Sequence, residues 1–161
     1  MRIAAFSLIA ICLSAPVLAD QAGGNMKGFL EETPVSWRID ADRSEYHFES
    51  EGIGSLRILA EPQEVPSGIG SIRLLVMVAE GTTSLLELRI EDEGGHSVLG
   101  LSSDAGGQVM LDIDRAKDGT LYVTGVMEAD LTAYPKSGRT DGERQTLVLD
   151  VDGGRITATG H

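Results

Sequence analysis

From Val35 onward, apolar residues return at every second position, a period that suits strands and little else. The longest case is Thr120–Tyr134. Leu121, Val123, Gly125, Met127, Ala129, Leu131 and Ala133 share one face, and Tyr122, Thr124, Val126, Glu128, Asp130 and Thr132 share the other. Shorter runs behave alike: Val35–Ile39, Glu45–Ser50 with Tyr46 beside Phe48, Ser84–Ile90 with Leu86, Leu88 and Ile90 inward, and Gln108–Ile113 with Val109, Leu111 and Ile113 inward. Ser97–Leu101 adds a short strand. Thr146–Val151 and Arg155–Thr159 read as a closing hairpin around Asp152-Gly153-Gly154. Turn signals fall about every 8–14 residues, and no stretch carries a helical period. The fold expected is all-β, an antiparallel sandwich or small barrel of about nine to ten strands. Alternation alone does not separate the two, because both alternate inward and outward residues. Gly125, inside the longest run, is expected to mark a bend or bulge.

One phrase occurs twice. Gly52-Ile53-Gly54-Ser55-Leu56-Arg57-Ile58-Leu59 is answered by Gly68-Ile69-Gly70-Ser71-Ile72-Arg73-Leu74-Leu75. Each copy reads as a strand, with Leu56 and Ile58 opposite Arg57 and Leu59, and Ile72 and Leu74 opposite Arg73 and Leu75. Ala60–Ser67 contains Pro62 and Pro66 and reads as the connecting loop, since proline cannot donate to a ladder. Two copies are too few for a solenoid. No Gly-Lys-Ser/Thr follows either Gly-x-Gly, so the glycines are assigned to strand starts and close backbone approach, not to a phosphate loop.

The first residues have the form of a secretory signal peptide: Arg2, an apolar run from Ile3 to Leu13, and Val17 and Ala19 at the minus-three and minus-one places. The apolar run is too short to span a membrane. Cleavage is expected after Ala19, leaving 142 of the 161 residues. Cys12 lies inside the removed segment and lacks the small residue before it that a lipobox needs. The remaining chain has no cysteine, which excludes a disulfide scaffold, a thiol enzyme and a cysteine-zinc centre. An exported chain without disulfides fits a bacterial periplasm or secretion from a bacterium. Residues 20–34 read as a flexible leader and residues 35–161 as a single all-β domain, large enough for its own core. The net charge of −12 becomes −13 when Arg2 is removed. It argues against nucleic acid and anionic lipid headgroups, both of which need clustered cations.

Trp37-Arg38-Ile39-Asp40 followed by Ser44-Glu45-Tyr46-His47-Phe48 resembles the opening hairpin of the YceI-like periplasmic family. That resemblance implies a lipocalin-type barrel and a long isoprenoid ligand. It touches about a tenth of the exported chain and transfers no individual residue.

Three Asp-x-Asp pairs, Asp40/Asp42, Asp112/Asp114 and Asp150/Asp152, stand where strands run into turns. Asp112, Asp114 and Asp118 form the richest set, the weak calcium candidate. Ala116 occupies the third ligand place, however, and aspartates also start turns through local hydrogen bonds. His47, His96 and His161 have no metal spacing. A hydrolase built on His47 or the aspartate clusters is the enzymatic alternative, and no Gly-x-Ser-x-Gly elbow supports it. Glu128 and Asp130 read as an acidic strand face, without a sugar-stacking platform near them.

The sequence therefore points to an exported envelope protein without catalytic activity and without a cofactor. Its expected role is a protein-interaction or accessory module that offers exposed edge strands near the duplicated phrase to a protein partner. The alternative is a carrier of a small apolar, lipid-like ligand, with Leu121, Val123, Met127 and Leu131 lining the cavity.

Overall fold

In the computed structural model, residues 23–50, 52–102, 106–134 and 143–158 are described. They form ten strands: β1 (Asn25–Leu30), β2 (Thr33–Ile39), β3 (Glu45–Ser50), β4 (Ile53–Glu64), β5 (Ile72–Ala79), β6 (Thr82–Glu91), β7 (Ser97–Leu101), β8 (Gly107–Arg115), β9 (Leu121–Ala133) and β10 (Arg144–Ala158). Pairings β2–β4 and β10–β9 close the sheet. Eight strands then form an antiparallel ring, β1-β2-β4-β5-β6-β7-β9-β10, and the choice between sandwich and barrel falls to the barrel.

The two remaining strands are additions at one end. β4 is long enough to pair with β2 through Ala60–Glu64 and with β3 through Ile53–Arg57. β9 likewise pairs with β7 through Leu131–Ala133 and with β8 through Leu121–Ala129. The last residues of β10, Thr157 and Ala158, run parallel to Glu45 and Tyr46 of β3.

Inward side chains from every ring strand fill the interior. Met26, Trp37, Leu56, Ile58, Ile72, Ile90, Leu99, Val123, Leu131 and Leu149 are fully buried. Burying each aliphatic one contributes about 1.5–3 kcal/mol. Trp37 donates its Nε1–H to the Gly70 carbonyl at 2.7 Å, which satisfies the indole inside an apolar core. The duplicated phrases pair with each other as an antiparallel hairpin, with Leu56 opposite Val76 and Ile58 opposite Leu74. Leu56, Ile58, Ile72 and Leu74 are buried, while Arg57 and Arg73 face solvent. Leu59, on the outward parity, is also buried, because the turn after β2 hydrogen-bonds beside it through Ser44 and Asp40. Gly70 stands where a Cβ would lie 2.7 Å from the Asp92 carbonyl oxygen. A neighbouring backbone thus explains the glycine, as expected.

Four expectations need correction. Residues 25–34, read as flexible leader, hold β1 and the start of β2, and β1 is paired along both edges. This strand buries only Met26 and Leu30, too thin a pattern to recognise in isolation. Pro62 lies within β4 opposite Trp37, not in a loop. The β4–β5 pairing ends at Ala60 with Ile72, so past that point a missing N–H costs no bond to β5. Leu86 is half exposed and Leu85 packs on the core instead, because an extra residue in β6 shifts the register after Leu75–Glu87. The expected closing hairpin is one strand, β10, whose two halves pair with the same β9 across a register shift between Val151 and Gly154. That irregularity lies beside Gly125 of β9.

Candidate functional site

At the end of the barrel where β3 and β8 are added, the wall is not continuous. The β8 backbone shows why. Asp130 N–H donates to the Gly106 carbonyl and Ala116 N–H to the Thr120 carbonyl, so the even-numbered residues of β8 turn their backbone groups toward β9. The odd-numbered residues, Val109 to Arg115, turn theirs toward β6. Among the described residues no strand pairs with that edge. Only Thr83 of β6 bridges it: its Oγ1 donates to the Val109 carbonyl at 3.0 Å and accepts from Leu111 N–H at 3.3 Å.

Beyond Thr83 the split opens into a cleft of about 720 Å³. Its apolar walls are Phe48 from β3, Val78 from β5, Leu111 and Ile113 from β8 and Leu121 from β9, with Ser50, Thr83, Asp112 and Arg115 at its polar margin. This volume is within the range of small-molecule sites, about 300–1,000 Å³, and barrel mouths are a common place for them.

The inner parity of β8 runs Val109, Leu111, Ile113, Arg115. The first two are buried, Ile113 is half-buried, and Arg115 is exposed at the rim. Asp112 and Asp114 belong to the opposite, outward parity. The Arg115 guanidinium carbon sits 6.0 Å from the centroid of the Tyr46 ring, a cation–π distance. Tyr46 is itself held by a hydrogen bond from its hydroxyl to the Gly119 carbonyl and by a tilted contact with Phe48, ring centroids 5.4 Å apart. Among the described residues Arg115 forms no ion pair, as is also true of Lys27, Arg38, Lys117 and Arg155; of these cations Arg115 alone lines the cleft.

The side chains singled out from the sequence are dispersed. Leu121 lines the cleft, and it packs in the core together with Val123, Met127 and Leu131. Asp112, Asp114 and Asp118 are all exposed. Among the described residues no three His, Asp or Glu side chains gather as a metal-holding group. Asp118 is engaged in its turn: Thr120 N–H donates to its carboxylate at 2.9 Å, and this bond holds the carboxyl below the ordinary carboxylate range. Asp40 accepts from Asp42 and Arg43 N–H in the same local manner. His47 is exposed on β3 with Ser55 as its cross-strand neighbour. His96 is exposed in the turn before β7, 3.3 Å from Asp92. His161 lies outside the described residues. The cleft residues Phe48, Val78, Thr83 and Arg115 were not anticipated. The one signal for them in the sequence is a cation, Arg115, continuing the inward parity of Leu111 and Ile113.

The depressed Asp118 carboxyl has a pH consequence. A group whose folded pKa lies below its unfolded value, about 3.9 for Asp, contributes stability that is present above that value and lost as pH falls through the folded one. NMR titration is expected to give an Asp118 midpoint below the ordinary value, with the Thr120 amide shift following it. Asp118→Asn removes this pH dependence of the Thr120 amide.

Fold and cleft together define a closed eight-stranded antiparallel barrel with two added strands and an apolar pocket at its mouth. Compared with protein-family models, curated proteins and solved structures, the chain finds no significant match in any of the three. The resemblance to the YceI-like family thus stays confined to the segments of β2 and β3, and these do not form the expected opening hairpin: β2 pairs with β1 and β4, and β3 with β4 and the end of β10.

Proposed function

We propose that this chain is a non-enzymatic binding protein of the bacterial envelope, exported by removal of residues 1–19, that takes an apolar-bodied small molecule in its mouth cleft. The observation that carries this reading is the cleft of about 720 Å³ walled by Phe48, Val78, Leu111, Ile113 and Leu121. Five apolar walls around an opening of this size exclude water from an apolar ligand and stabilise it by area burial. The rest of the barrel interior is filled by its own side chains, which directs the carrier idea to the mouth.

The experiment is mass spectrometry of protein purified from its own periplasm, native and then denatured. The native mass is expected to exceed the denatured one by a few hundred daltons, on the order of a small ligand. Ile113→Trp, which narrows the cleft, is expected to lower the occupied fraction. Equal native and denatured masses would remove the support for this reading, and occupancy unchanged in Ile113→Trp would place the ligand elsewhere.

A second reading, recognition of a protein partner, has its own observation. The duplicated phrases are not edges: β5 is paired on both sides over Ile72–Ala79, and β4 pairs with β5 over Ile53–Ala60 and on its other side with β3 through Ile53–Arg57 and with β2 from Ala60. The open edge is that of β8, and beside it Met110 is 70% exposed and its cross-strand neighbour Val126 41% exposed. An extended peptide adding to β8 would gain backbone hydrogen bonds and cover this apolar pair. A native mass raised by thousands of daltons, or an integer multiple of the chain, favours this reading.

A further inference from the structure

We propose that the ligand of the mouth cleft is an acid-terminated amphiphile, its apolar tail among Phe48, Val78, Ile113 and Leu121 and its anionic end on Arg115. This inference rests on the small-molecule reading of the cleft.

Three observations carry it. First, Arg115 is placed by strand parity on the same side of β8 as the apolar wall, at its outer end, where a headgroup emerges from a buried tail. Second, it is a cation without an ion pair among the described residues, in a chain of net charge −12. Carboxylates outnumber cations 25 to 13 in this sequence, yet none among the described residues lies within 4 Å of this guanidinium. Asp112 reaches the cleft margin from the outward parity of the same strand and Asp114 does not line it, so Arg115 is the one cation among the described residues that line the cleft. Third, the guanidinium is held over the Tyr46 ring, whose hydroxyl is anchored to Gly119. The planar guanidinium fork loses less freedom per hydrogen bond when it binds an anion, and it matches a carboxylate or phosphate. Seen from the ligand, the site offers apolar walls and then one positive charge on the inner parity of β8, with the Asp112 carboxylate elsewhere on the margin. An alcohol or a neutral polyprenyl tail uses the first and wastes the second.

The shared chemistry is a single anionic end, carboxylate or phosphate, and three probes of one tail length separate the possibilities: laurate, dodecyl phosphate and dodecanol. Binding to the full chain is measured by calorimetry at low salt. The expected result is that an anionic probe binds about tenfold more tightly than dodecanol, as one charge-assisted hydrogen bond supplies. Whichever of laurate and dodecyl phosphate binds more tightly identifies the headgroup. Arg115→Gln is expected to collapse that preference to within about twofold, and Arg115→Lys to restore part of it. Raising salt is expected to shrink the preference and leave dodecanol binding in place. Because Arg115 is exposed, circular dichroism is expected to show the variants folded. Equal affinity of the three probes for the wild-type chain overturns the acid-terminated ligand and keeps the cleft reading. A preference that survives in Arg115→Gln overturns the role of Arg115. No binding of any probe overturns both the inference and the cleft reading beneath it.

Discussion

Replacing Gly125 by alanine is expected to destabilise the barrel by about 4 kcal/mol, the sum of a backbone-conformation cost and an overpacking cost. Gly125 has φ +145°, a region that L side chains rarely adopt. A Cβ there would also lie 2.9 Å from the Leu111 Cα and still closer to the Met110 carbonyl. The atoms it meets are backbone atoms of the paired strand, so no rotamer change relieves the contact. β8 would have to move off β9, and β8 carries one wall of the cleft. Urea denaturation is expected to show a much lower midpoint with an unchanged slope. Gly95→Ala serves as the comparison. Its φ is also positive, but a Cβ there meets nothing within 4 Å, so it is expected to cost only about 1 kcal/mol. Similar losses for the two variants would mean that β8 is not closely packed on β9 at this point.

The second large effect belongs to Trp37. Trp37→Ala is expected to cost about 4 kcal/mol in cavity and lost transfer energy, and about 1–3 kcal/mol more because the Gly70 carbonyl loses its buried donor. Trp37 is fully buried, and its indole ties β2 to the strand-start glycine of the second duplicated phrase. Trp37→Phe keeps most of the volume and loses the donor, and is expected to cost about 2 kcal/mol. Since Trp37 is the only tryptophan, its emission reports the same event in the wild-type chain: blue-shifted when folded, red-shifted as urea unfolds the barrel. A loss below about 2 kcal/mol for Trp37→Ala would contradict a filled interior at this end.

Much of the wall is legible in the sequence. The inward face of β9, from Leu121 to Ala133, needs only a period of two, and the pairing of the duplicated phrases needs only two strands with a short connection between them. The elements misread share one cause. Leu85 replaces Leu86 as the core residue because one extra residue inverts the parity on either side of it, and no pattern within β6 announces it. Gly153, with φ +65°, looks the same whether it makes a turn or an irregularity in a long strand, and only the continued pairing of β10 with β9 distinguishes them. β1 is a strand because β2 and β10 flank it, not because its own composition demands one.

The site divides along the same line. Local sequence suffices to put Leu111, Ile113 and Arg115 on one side, because alternation along one strand is a local property of the backbone. It also suffices for the class, all-β, and for the scarcity of cations that makes Arg115 stand out. Tertiary structure decided that the sheet closes into a barrel, that β6 and β8 part at the mouth, and that Phe48, Val78 and Leu121 meet Ile113 there. Phe48 and Val78 are far in the chain from Ile113 and Leu121, and which strands become neighbours depends on the closure of the whole ring, a sum of pairings that no single segment encodes.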